Sequence, residues 1–93
     1  MPYLYAPITA SGDALTASGS KLSTLHGWSF AENAGTPAEA RVLLRDGGVG
    51  GAVVVDIQLG PKESAGDDPQ VQFTQFIYVH VTSGTVRGSV YGR

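Results

Sequence analysis

Cysteine is absent from this chain of 93 residues. Neither a disulfide nor a thiolate-bound metal can therefore reinforce its core. Charge is scarce as well. Acidic and basic residues make up 15% of the chain and the formal net charge is −2. That balance leaves no electrostatic footprint for nucleic acid or for an anionic membrane surface. No apolar run approaches the roughly 18 residues of a membrane-spanning helix. The N-terminus has no basic segment followed by an apolar stretch, so the expectation is a soluble, unexported chain made in the cytoplasm of its producer. A single domain of this size buries only about 60–65% of the surface exposed by its unfolded chain. Subunit association is the natural supplement to so modest a core.

What is present is β-patterning. From Phe76 to Tyr91 the chain alternates, with Ile77, Val79 and Val81 on one side and Tyr78, His80 and Thr82 on the other. After Ser83-Gly84, Val86 and Val90 oppose Arg87, Ser89 and Tyr91. A period of two in β-branched and aromatic residues marks half-buried strands, and Ser83-Gly84 reads as the tight turn of a hairpin. Ala52 to Leu59 is the strongest single strand, with Val53, Val55, Ile57 and Leu59 on its apolar side. Between Lys21 and Ala34 the alternation slips at Gly27, which predicts a bulge or a tight bend between two strands.

Residues 36–46 carry two signals. Thr36-Pro37-Ala38-Glu39 has the form of a helix capping box, whereas Ala40, Val42 and Leu44 alternate with Arg41, Leu43 and Arg45. A helix this short is marginal in water, and the reading is a strand from about Glu39 to Asp46. Ser11 to Asp13 reads as a turn and Ser64 to Pro69 as a polar loop. Gln70 to Thr74 reads as another strand. Two prolines in the first ten residues disfavour a central strand, so residues 1–10 read as an extended arm and residues 11–93 as one domain. Seven to nine short strands at intervals near ten residues predict an all-β protein, a small antiparallel β-sandwich of jelly-roll or immunoglobulin-like type.

Patterns that carry chemistry are weak. Ser18-Gly19-Ser20-Lys21 has the bare spacing of a serine nucleophile and its lysine base. It lacks the helix that would set the two side by side and reads as a solvated loop. His26 and His80 are the only histidines. With Asp56, Asp67 or Asp68 they lack a diagnostic ligand spacing, and Asp67-Asp68 reads as a solvated turn. Gly47 to Gly51 lacks the Gly-Lys-Ser/Thr ending of a phosphate cradle. Trp28, Phe30, Tyr78 and Tyr91 would form a sugar platform if exposed, although aromatics in a small sandwich usually belong to the core. No catalytic residue, cofactor or metal is expected.

Several stretches resemble a family of small virion proteins of tailed phages. They are Leu25-His26-Gly27-Trp28-Ser29, Arg45-Asp46-Gly47, Leu59-Gly60-Pro61-Lys62-Glu63-Ser64 and the run from Tyr78 to Tyr91. Gln75-Phe76-Ile77 departs from that pattern, which has a Gly beside the Tyr. The resemblance implies a structural virion component such as a capsid decoration or minor capsid protein, located in the virion after synthesis in the host cytoplasm. Its implied partners are the major capsid protein or other virion subunits and further copies of itself, as a homo-oligomer, for which a trimer is the expected size. Tyr3, Leu4, Tyr5 and Ile8 of the arm, with Tyr78 and His80, are the expected subunit contacts. The alternative is a carbohydrate- or receptor-binding module of a phage tail or head fibre, with a glycan as ligand.

Overall fold

The computed structural model describes residues 4–14, 21–36, 38–67 and 70–93. Nine strands form two antiparallel sheets, and no helix occurs among the described residues. In chain order they are β1 (Leu4–Ile8), β2 (Gly12–Asp13), β3 (Thr24–Glu32), β4 (Ala40–Asp46), β5 (Ala52–Leu59), β6 (Ser64–Asp67), β7 (Val71–Gln72), β8 (Ile77–Ser83) and β9 (Val86–Gly92). The first sheet has the order β1-β9-β3-β6, with β7 continuing the β6 edge along the other end of β3. The second has the order β2-β8-β4-β5. Counting β6 and β7 as one interrupted strand, this is the order of a jelly roll, in which two Greek keys interlock.

The inward faces supply the core by alternation. The first sheet contributes Ala6, Ile8, Leu25, Phe30, Val86 and Val90. The second contributes Val42, Leu44, Ile57, Leu59, Ile77 and Val79. Leu22 and Phe73 close the layer from the connecting segments. Leu22 is tied in by its N–H to the carbonyl of Ala14 (3.0 Å), and its own carbonyl accepts from the Ile77 N–H (2.7 Å).

The principal departure from expectation concerns the run from Phe76 to Tyr91. Its arms are strands, but they do not pair: β8 lies in the second sheet and β9 in the first. Ser83 to Thr85 is an arch between layers rather than a hairpin turn. In a hairpin, Val79 and Val86 would line one side of one sheet. Across an arch they face each other from opposite sheets, and both are buried. Gly84 makes the arch possible at φ +75°, and a Cβ there would lie 2.5 Å from the Glu39 carbonyl oxygen. Among consecutive strands only β4 and β5 form a hairpin, closed by the glycine-rich loop 47–51.

Other elements adjust the reading. Residues 40–46 are strand, as the alternation predicts, because the segment pairs on both sides, with β5 and β8. Gly12–Asp13, expected as a turn, pairs with Val79 and Tyr78. Ser64–Asp67, expected as a loop, pairs with β3, because an edge strand needs a ladder on one side only and tolerates polar residues. The slip near Gly27 is a bulge within one continuous strand. Leu25 faces Gly92, Gly27 faces Tyr91, and His26 is the extra residue. Val53 is 47% exposed rather than inward, because a second bulge, at Val54, shifts the alternation and sets Val53 opposite outward-facing Arg45. Part of the expected arm is β1 itself, paired with β9 along its whole length. Residues 1–3 and 15–20 lie outside the described residues, as do Pro37, Asp68 and Pro69.

Candidate functional site

The six residues nominated for subunit contact do not form one patch. Tyr3 lies outside the described residues, and Leu4 opens β1 opposite Gly92. Ile8 is 4% exposed and belongs to the chain's own core. That burial withdraws it from any neighbour, because Ile8 and Ala6 are the residues that fasten β1 to the sandwich. Tyr5 remains, on the outer face of the first sheet. Tyr78 and His80 lie on the outer face of the second sheet, on the opposite side of the molecule.

On the first sheet Tyr5 stands directly across from Tyr91, and both rings are exposed (58% and 37%). Alternation drives both outward, since Tyr5 precedes buried Ala6 and Tyr91 follows buried Val90. Apart from Arg87 and Pro7, the rest of that face is built from short side chains. Gly27 lies beside Tyr91, Ser29 beside Ser89, Ala31 beside Arg87, and Gly66 and Ser64 follow on β6. The result is a tyrosine ridge beside a low floor. At the far end a shallow concavity of about 350 Å³ is lined by Pro7, Ser29, Ala31, Ser64 and Arg87 among others.

On the second sheet the outward polar groups are engaged with each other. Arg41 holds Asp56 with two hydrogen bonds, Nε to Oδ1 at 3.0 Å and Nη2 to Oδ2 at 2.6 Å. The guanidinium lowers the Asp56 carboxyl below its ordinary range, and the carboxylate raises Arg41. Arg45 donates from Nε to His80 Nδ1 (3.1 Å) and from Nη1 to the Gly51 carbonyl (2.9 Å). Guanidinium has no acceptor, so His80 takes this bond through its Nδ1 lone pair. The Tyr78 and His80 rings lie 6.4 Å apart at 60°. Leu43 also points outward, yet it is only 6% exposed, with His80 and Asp56 as its cross-strand neighbours. Nearby, Lys21 sits 3.3 Å from Asp13 and 4.1 Å above the Phe76 ring.

Two carboxylates fasten the ends of the sandwich. Glu32, buried at the end of β3, accepts the Lys62 N–H (2.8 Å) and the Ala34 N–H (2.7 Å). These amide bonds, Lys62 foremost, hold its carboxyl below the usual range. Lys62 itself has φ +61°, a strained backbone that the Glu32 bond helps to hold. At the other end Asp46 accepts the N–H groups of Gln75 (2.9 Å) and Thr74 (2.8 Å), which lower its carboxyl in the same way. Neither role was legible beforehand; the only sequence signal is a carboxylate at the end of a strand.

The chemical constellations weighed on sequence are dispersed. His26 lies on β3 in one sheet and His80 on β8 in the other. Asp56 is bound by Arg41, and Asp67 ends β6 opposite Trp28. Among the described residues no three His, Asp or Glu side chains gather in a way that could hold a metal ion. The Lys21 amine is engaged by Asp13 and Phe76, while Ser18 lies outside the described residues. Gly47 to Gly51 is a hairpin loop with positive φ at Gly47 and Gly48. Trp28 and Phe30 pack on the core side of β3, centroids 6.1 Å apart. Tyr78 and Tyr91 occupy opposite outer faces, so the four aromatics share no platform. The pair that does share one, Tyr5 and Tyr91, needs a β1–β9 contact between the two ends of the chain. Compared with protein-family models, curated proteins and solved structures, the chain matches none of them.

Proposed function

We propose that this chain is a non-enzymatic structural protein of a tailed-phage virion, a capsid decoration or minor capsid protein that works by binding other subunits. One observation carries the reading. The large hydrophobic residues exposed on the described surface fall into two groups, Tyr5 with Tyr91 on the first sheet and Val49 with Val53 and Val54 at the β4–β5 hairpin. Apolar residues clustered rather than scattered mark surfaces that neighbours cover. The jelly-roll strand order is one that viral shell proteins use, although a fold alone does not choose a function. A subunit that binds only the assembled shell stabilises it by mass action, and this requires surface rather than a cleft. The partners are the major capsid protein or other virion subunits, with self-association, and the location is the virion.

The test is imaging of the particle made with and without this chain. Density on the capsid lattice that disappears with the chain supports the reading. Indistinguishable particles of equal stability, or a chain absent from purified virions, overturn it. A second reading, a glycan-binding fibre module, is favoured by the Tyr5–Tyr91 ridge, since paired exposed rings beside Ser29 and Ser89 hydroxyls suit a sugar. Glycan-array binding lost in Tyr91→Ala would select it.

A further inference from the structure

We infer that the open edge of β5 is a self-association site, at which two copies of this chain join their second sheets antiparallel across a two-fold axis. The two sheets have four edges among the described strands. β1 carries Pro7, which has no N–H to offer a neighbour. β2 is two residues long, and the β6–β7 edge is interrupted between Asp67 and Val71. β5 differs from all three. Its eight residues run without Pro, Gly or Lys, and at about 3.4 Å per residue they span about 27 Å. One side of β5 pairs with β4, and the other side offers its ladder groups to no described strand.

An edge of this kind is a template for another strand. Three features select a second copy as that strand. The strand offers apolar side chains at the open end, with Val53 47% and Val54 39% exposed. Its single charge, Asp56, is already neutralised by the two-pronged Arg41 contact, so the edge carries no repulsive charge. The chain as a whole adds only a net charge of −2. An antiparallel pair of identical strands also satisfies both copies at once, as an isologous interface requires. A two-fold centred on Val55 brings residues 52–58 of both copies into register, sets Val55 against Val55, and places each Asp56 opposite the other copy's Val54, so the two Asp56 side chains do not pair. Val53, exposed beside Arg45 on its own subunit, then lies against the other copy's strand. The Val54 bulge bends only the start of the strand, and Val55 to Leu59 keep an unbroken register with β4. The product is a continuous eight-stranded sheet and a dimer, whereas the expectation from sequence is a trimer.

The inference stands on the isolated chain and does not require the virion reading. Sedimentation equilibrium of the purified protein over a range of concentrations is the first measurement. A reversible species at twice the 9.6 kDa chain mass is expected. Val53→Lys leaves an exposed position exposed in the monomer and places a charge in the dimer seam. It is expected to abolish the heavier species while the far-ultraviolet circular dichroism stays unchanged. Tyr91→Ala, on the other sheet, is expected to leave the dimer intact. Amide hydrogen exchange of the unsubstituted protein gives a readout that does not depend on the folding of a variant. β5 amides are expected to gain protection as concentration rises, while β1 amides do not. A monomer at every concentration, a trimer, a folded Val53→Lys that dimerises as well as the parent, or concentration-independent β5 exchange would each overturn it.

Discussion

Trp28 offers the sharpest test of the packing. Its ring lies on the core side of β3, half-buried, against Phe30. Its indole N–H is buried with no hydrogen-bond partner among the described residues. Two substitutions separate these features. Trp28→Ala removes the ring. Full burial would put the cost at about 3–5 kcal/mol, and the half-exposed edge places it near about 3. A chain this size has a total stability of about 5–14 kcal/mol, so the loss is a large fraction of it. At about 4–8 °C per kcal/mol, Tm should fall by roughly 12–24 °C. Trp28→Phe keeps most of the apolar contact and deletes the unpaired donor. Relief of that buried donor is worth about 1–3 kcal/mol, set against about 0.8 kcal/mol for each methylene equivalent of buried area given up. The two nearly cancel, so the Phe variant should melt within about 5 °C of the parent. Thermal and urea unfolding followed by circular dichroism would measure both. If Trp28→Phe is as damaging as Trp28→Ala, the N–H has a partner and the reasoning fails. If Trp28→Ala melts like the parent, the ring is not part of the core.

The remaining predictions address the ends and the faces. Glu32 and Asp46 have carboxyls lowered by backbone N–H donors, and Asp56 by Arg41. A lowered folded-state value means the stabilisation is present above the unfolded value and lost as pH falls through the folded one. Stability should therefore hold near neutrality and decline from about pH 4 downward. Glu32→Gln should destabilise at pH 7 and converge on the parent in acid, as acid titrations of both would measure. Gly84→Ala adds a side chain at φ +75° against Glu39 and Ala40, and should cost about 1–3 kcal/mol by urea unfolding, plus any penalty of the overlap. Tyr5→Ala with Tyr91→Ala should leave the fold within about 1 kcal/mol, the scale of a cross-strand pair. The same double substitution should abolish attachment to particles in a co-sedimentation assay.

The acidic pins and the arch show where local pattern stops being informative. Alternation in β3, β4, β5, β8 and β9 is a property of single strands. It depends only on side chains pointing to opposite faces, so the class of fold and most of the core could be read residue by residue. Pairing is different, because a strand of given alternation is compatible with several neighbours. Ser83-Gly84 looked like a hairpin turn, since the glycine that a tight turn needs is also the glycine that lets an arch pass Ala40. Gly12–Asp13 and Ser64–Asp67 carry almost no apolar signal, since each holds only part of a ladder at an edge.

Period-two patterning, a weak charge content and the want of cysteine were enough to determine an all-β sandwich that needs its apolar faces apposed. The tertiary structure alone decided which sheet each strand joined, and so the jelly-roll order. It also decided that Ile8 belongs inside, that Tyr5 meets Tyr91, and that β5 is left with an unpaired side. The physical reason is range: alternation is fixed by the bonds of one strand, while pairing is fixed by contacts between residues as far apart as Leu4 and Gly92.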